Sequence, residues 1–187
     1  YAEGTRLVEA FARWIDTLAG ASGLVVFDAS DAAAKPLVQS VFARELQGTG
    51  ETARLAAAAG AELVTRGYHA QVEPSSDAVA LFQLDGAREP IRVRSSGFMV
   101  GDRPVGTKSL MHEVETHPAR FSPNVLLRPI VQDALFPTVA YVAGPNELAY
   151  LGQLRDVYAR FGVPMPVIQP RTSATIVDAA TLKFLRR

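Results

Sequence analysis

A chain of 187 residues, 48% hydrophobic and 8% aromatic, is long and apolar enough for a real core and too apolar for disorder. Nineteen Lys and Arg residues balance nineteen Asp and Glu, so the chain lacks the long-range positive field of a nucleic-acid binder. It has no cysteine, which removes disulfides, thiolate zinc sites and a cysteine nucleophile together and suits a cytoplasmic location.

The longest apolar runs, such as residues 24–27 and 136–143, are far shorter than a membrane-spanning helix needs. Tyr1-Ala2-Glu3-Gly4 carries neither the charge nor the apolar run of a signal peptide. The chain starts inside a helical pattern and stops in the first turns of another, at residues 179–185, so both ends read as cuts through a longer protein.

Leu7, Val8, Phe11, Trp14, Ile15 and Leu18 recur at helical spacing and predict an amphipathic helix over roughly residues 3–19, ended by Gly20 and Gly23. Leu24-Val25-Val26-Phe27 predicts a short strand buried on both faces. Ser30 or Asp31 can cap the next helix, which carries Leu37, Val38, Val41, Phe42 and Leu46. An alanine-rich helix follows over residues 51–66.

From residue 67 to about 106 the apolar pattern alternates and is cut by turn residues such as Asp85-Gly86 and Gly101-Asp102. This predicts a small antiparallel meander with a hairpin tip at residues 84–88, then a short helix over 108–115. Residues 67–119 therefore read as an insertion between two core segments, 1–66 and 120–187.

In the last third, Asn124 is placed to cap a helix over 125–135, with Pro129 in its first turn. Residues 138–143 predict a buried strand, 145–161 a helix with Leu148, Leu151, Leu154, Val157, Tyr158 and Phe161 inward, and 165–169 the next strand. Strand, crossover helix and strand in about thirty residues form a βαβ unit, which is parallel and right-handed. Phe27, Tyr141 and Val167 are expected on neighbouring strands.

Ligands of such sheets bind beyond the carboxyl ends of the strands, which selects residues 28–31, 144–147 and 170–173. Gly144-Pro145-Asn146-Glu147 is the strongest of the three, because a Gly-Pro turn admits a ligand to the backbone and a helix start offers unpaired N–H groups. Glu147 has a second reading as a helix-capping carboxylate. Arg128 and Gln132, four apart on one helical face, can together bind an oxyanion or simply face solvent. Arg171-Thr172-Ser173 can point into the same crevice or cap a loop. No GxGxxG or GxxxxGK[ST] run occurs. His112 and His117 lack a third ligand at metal-site spacing, and His69 can reach a site only from the start of the insertion.

The stretch Phe121-Ser122-Pro123-Asn124-Val125-Leu126-Leu127-Arg128-Pro129-Ile130-Val131-Gln132-Asp133 resembles the bacillithiol biosynthesis cysteine-adding enzymes. So do Pro137-Thr138-Val139-Ala140-Tyr141-Val142-Ala143-Gly144-Pro145-Asn146-Glu147-Leu148-Ala149-Tyr150 and Gly162-Val163-Pro164-Met165-Pro166. Pro170-Arg171-Thr172-Ser173-Ala174 and Gly67-Tyr68-His69-Ala70-Gln71-Val72 continue the resemblance, which spans essentially the whole chain.

The resemblance implies an α/β fold with a Rossmann-like parallel core, similar to class I aminoacyl-tRNA synthetases, and a small antiparallel insertion. It implies a fragment leading into a missing C-terminal coiled coil used for homodimerisation. The implied activity is a ligase that joins cysteine to glucosaminyl-malate through an amide bond, with ATP expected to activate the carboxylate. These 187 residues alone are then expected to be inactive. On this resemblance Glu147 is the catalytic candidate. Arg128, Gln132, Gly144, Pro145, Asn146, Tyr150, Arg171, Ser173 and His69 are the substrate-binding candidates; no metal, nucleic acid or membrane is implied. The alternative reading is a non-catalytic sugar- or nucleotide-binding α/β domain.

Overall fold

Residues 4–186 are described by a computed structural model; the predicted start of the opening helix, at residue 3, lies outside them. Helix α1 (Leu7–Ala19) has the expected amphipathic pattern, yet Leu7, Val8, Phe11, Trp14 and Leu18 are all exposed. A 3-10 turn follows, ending at Gly23 in the left-handed region with φ 77°. The strand expected at residues 24–27 does not form a ladder, and all four side chains are exposed. A four-residue run can bury two faces only with a paired neighbour on its edge, and among the described residues it has none. Phe27 sets its ring edge-on against Phe136 instead, with centroids 4.9 Å apart.

Asp31 caps the next segment by accepting from the Ala33 N–H at 2.9 Å, while Asp28 takes both donors of Ser30. The single helix expected here is divided. Residues Ala32–Val38 form a 3-10 segment containing Pro36, and α2 (Gln39–Gln47) begins after it. Proline lacks the N–H that an α-helical turn would use and crowds the preceding turn. Helix α3 (Glu51–Thr65) presents Thr52, Ala53, Ala56 and Gly60 inward, a small-residue face that permits close approach.

Strands β1 (Ala78–Asp85), β2 (Ala87–Arg94), β3 (Gly97–Val100) and β4 (Arg103–Val105) form the expected antiparallel meander. The hairpin tip falls at Gly86, whose φ of 69° suits glycine. Helix α4 (Thr107–Thr116) follows. A fifth strand, β5 (Phe121–Pro123), pairs antiparallel with β1 and gives the order β4-β3-β2-β1-β5, a strand the sequence pattern does not predict. Phe42 and Leu46 of α2 belong to the same buried cluster as Leu81, Ile91, Phe98, Leu110 and Phe121. The meander thus shares its core with residues that precede and follow it.

Helix α5 (Arg128–Leu135) is approached through a turn in which the Asn124 carboxamide oxygen accepts from the N–H groups of Leu126 and Leu127. Strand β6 (Ala140–Ala143) pairs parallel with β7 (Val167–Pro170), Tyr141 opposite Ile168, so the βαβ unit is present. Phe27 is not its neighbour, which corrects the three-strand expectation.

The crossover holds two helices, α6 (Pro145–Leu151) and α7 (Arg155–Phe161), where the pattern predicts one. The break is at Gln153, which is fully buried and makes four hydrogen bonds. Its oxygen accepts from the N–H groups of Gln71 and Val72, and its nitrogen donates to the carbonyls of Ala56 and Val72. That nitrogen comes so close to α3 that a Cβ on Gly60 would meet it at 2.7 Å. Helix α8 (Ala179–Leu185) ends the chain. Among the described residues no helix is long and apolar enough to cross a membrane.

Candidate functional site

The carboxyl ends of β6 and β7 meet the start of α6 and one face of α5, and five polar side chains converge there. Glu147, in the first turn of α6, turns back so that its Oε2 accepts from the Gly144 N–H at 2.9 Å. Its Oε1 accepts from the Tyr141 hydroxyl at 2.9 Å and lies 4.0 Å from Nη2 of Arg128. Arg128 donates through that same Nη2 to the Tyr150 hydroxyl at 2.5 Å.

Arg171 approaches from the other side. Its N–H donates to the Ala143 carbonyl at 2.8 Å, tying the loop after β7 to the end of β6. Its guanidinium lies over Gly144, where a Cβ would stand 2.7 Å from Nη2 and 3.6 Å from Glu147 Oε2. Glycine at 144 therefore gives Arg171 its place.

These contacts set the protonation states. The Gly144 N–H holds the Glu147 carboxyl below its usual range; partial burial opposes this, and the Tyr141 hydroxyl, Arg128 and Arg171 add to it. Burial and the Tyr141 hydroxyl push the Tyr150 phenol up to about 12, against the pull of Arg128. At neutral pH the cluster thus holds an ionised carboxylate, a neutral phenol and two guanidinium groups. A carboxylate this well bonded is a weak base and a strong anchor. Beneath, the Tyr158 hydroxyl donates to Asp133 Oδ2 at 2.5 Å, and burial raises its pKa.

Of the sequence-selected residues, the structure brings together Arg128, Gly144, Glu147, Tyr150 and Arg171. The Gly144 N–H, expected to be open to a ligand, is occupied by Glu147, because that carboxylate completes the cap of its own helix. Pro145 and Asn146 are exposed on the first turn of α6, and Ser173 is exposed beyond β7. His69 does not join the cluster. It is exposed, with Nε2 3.2 Å from Gln71 Oε1, in a cleft with Pro145, Leu148 and Ala149. At 100° per residue those three lie on the face of α6 opposite Glu147 and Tyr150.

Gln132 and Arg128 line a pocket between α5 and residues 27–38, walled by Phe27, Val38 and Leu135, with Lys35 inside. Two members escaped the sequence reading. Tyr141 sits in a run that reads as plain strand, and only its six-residue distance from Glu147 across the Gly-Pro turn hints at their meeting. Lys35 follows three alanines and precedes Pro36, a pattern that says nothing of burial.

Residues 1–172 match the family described as bacillithiol biosynthesis BshC, N-terminal Rossmann-like domain. A protein of Salinibacter ruber named "Putative cysteine ligase BshC" is 40% identical over 99% of this chain and 34% of its own length. Proteins of the same name from Koribacter versatilis and Chlorobaculum tepidum are 36% and 37% identical, over 100% and 95% of the chain. The chain spans about a third of the length of these curated relatives.

Proposed function

The chain belongs to the bacillithiol biosynthesis BshC family, and from that premise we propose that it supplies part of the substrate-binding half of a cysteine ligase. The complete enzyme joins the carboxylate of cysteine to the amine of glucosaminyl-malate as an amide. The observation that carries this reading is the convergence of Arg128, Tyr141, Glu147, Tyr150 and Arg171 at the carboxyl ends of β6 and β7.

Arg128 and Arg171 hold an anionic group of the acceptor substrate, with Glu147 keeping both guanidinium groups in position. Glu147 also holds the incoming ammonium group; its lowered pKa suits it to binding that cation rather than to taking its proton. The neutral Tyr150 phenol, oriented by Arg128, donates to the oxygen of the acyl carbon as charge builds there.

ATP would supply activation of the cysteine carboxylate. The residues here do not fit its phosphates, since the Gly144 N–H is already bonded and the chain has no glycine-rich phosphate loop. We assign the complete protein to the cytoplasm, as a homodimer joined by a C-terminal coiled coil. The alternative, a non-catalytic sugar- or nucleotide-binding domain, is disfavoured by the ligase name of the relatives.

Arg128→Ala and Glu147→Gln in the full-length protein test the assignment. Each is expected to lower kcat/KM about ten- to hundredfold while the melting temperature moves by only a few degrees. Unchanged turnover in both variants would remove these residues from the site.

A further inference from the structure

Lys35 is a buried cation that, among the described residues, has no buried counterion. It is 6% exposed, at the inner side of the 3-10 segment before α2. Its Nζ donates to the Ala29 carbonyl at 3.0 Å, and the Phe42 ring lies 6.0 Å away, at the edge of cation–π range. An ammonium group has three donors, so two remain. Among the described residues no carboxylate lies within 4.0 Å of it. Burial lowers its pKa; the exposed Asp28 works against that and Arg88 adds to it. Charges left like this are costly unless something pairs with them.

The surroundings say what would pair. Lys35 lines the same pocket as Arg128 and Gln132, whose other walls are apolar. Arg88, outside the pocket lining, donates to the carbonyl of Pro123, a wall residue, at 2.9 Å. The pocket's own charged side chains are thus both cationic, and its volume of about 50 Å³ admits one small group rather than a whole substrate. Arg128 lines it and also touches Tyr150 in the polar cluster.

We infer that Lys35 and Arg128 form an oxyanion pocket, in which Lys35 donates to a carboxylate or phosphate group of the ligand and the Gln132 carboxamide supplies a neutral donor. The rest of that ligand then extends past Arg128 to the Glu147 cluster, and this last placement alone rests on the ligase reading. An oxyanion there supplies the countercharge that Lys35 lacks.

The test is calorimetric titration of the full-length protein with L-malate and with inorganic phosphate, before and after Lys35→Met. Binding of the anion that the pocket takes is expected to weaken about tenfold or more. The melting temperature should stay level or rise, because an apolar chain of similar length replaces a buried cation. Wild-type protein that binds neither anion, or a variant that binds both unchanged, overturns the inference.

Should Lys35→Met melt early, amine labelling of the wild type read by mass spectrometry decides. Lys35 should be protected by the anion, whereas Lys108 and Lys183, the other two lysines of these 187 residues, should not. Lys35 that takes the same label with and without the anion, or none in its absence, also overturns the inference. Anion binding in a protein without ligase turnover would sink the ligase reading and leave the pocket standing. Turnover that is indifferent to Lys35→Met would do the reverse.

Discussion

Strand β1 of the antiparallel sheet and the β6–β7 pair are both built from apolar runs, yet β1 is largely interior and the pair largely surface. Leu81 and Ile91 are each 1% exposed, whereas Val142 and Val167 are 60% and 67% exposed. Strand β1 has a partner on both edges and α2 and α3 against one face. Among the described residues strand β6 has one partner, β7, and α6 nearby. An apolar run is a capacity for burial, and neighbours decide whether it is used. The pair's own use is to bring the carboxyl ends of its two strands to one place, where Tyr141, Gly144 and Arg171 meet.

The sharpest way to break this comparison is a core truncation. Phe121→Ala, at the fully buried residue of β5, should cost this chain about 3–5 kcal/mol in urea unfolding. Less than about 1 kcal/mol would mean that the β5–β1 pairing carries little of the core.

A smaller effect is expected at the helix break. Gln153→Ala should cost about 1–3 kcal/mol, because it removes a fully buried carboxamide that bonds the N–H groups of Gln71 and Val72 and the carbonyls of Ala56 and Val72. A neutral result in the same measurement would mean that water replaces the carboxamide.

Two carboxylates sharpen the comparison by pH. Glu45 is fully buried beneath the antiparallel sheet, bonded to the Thr52 hydroxyl and the Ala80 N–H, with Arg160 at 3.6 Å. Burial raises its pKa in spite of these partners. The folded state then binds the proton more tightly than the unfolded state, so this contribution is complete below the ordinary carboxylate pKa and is lost as pH rises through the folded value. Glu147 has the opposite sign. Its pKa is lowered by the Gly144 N–H, so its contribution is present above the ordinary value and is lost as pH falls through the folded one. Glu45→Gln should flatten the stability profile on the rising side, and Glu147→Gln on the acid side. The two profiles changing on the same side would refute the assignment.

The smallest effect belongs to the parallel pair. Val142→Thr should shift stability by no more than about 0.5 kcal/mol, since its side chain is already in solvent. A loss above about 1.5 kcal/mol would show that β6 is covered in solution.

Much of this architecture was legible in local pattern. The alternation over β1 to β4, the Gly86 tip, the Asn124 turn and the parallel βαβ unit all follow from side-chain period and turn chemistry. Arg128, Glu147 and Arg171 could be selected as a group because each follows or faces a strand end. Lys35 and Tyr141 could not, since neither its neighbours nor its spacing marks a lysine or tyrosine as buried or bonded.

The sequence by itself determined the alternation of β1 to β4, the parallel βαβ unit, which faces are apolar, and which loops carry charge, because these depend on residues within a few positions of one another. Tertiary structure alone decided that residues 24–27 find no ladder partner among the described residues and that a buried Gln153 sits where the crossover helix divides. It also decided that Lys35 is enclosed beside Arg128. Each of these turns on a partner distant in the chain, and the physics of a desolvated polar group makes that partner, not the local pattern, decisive.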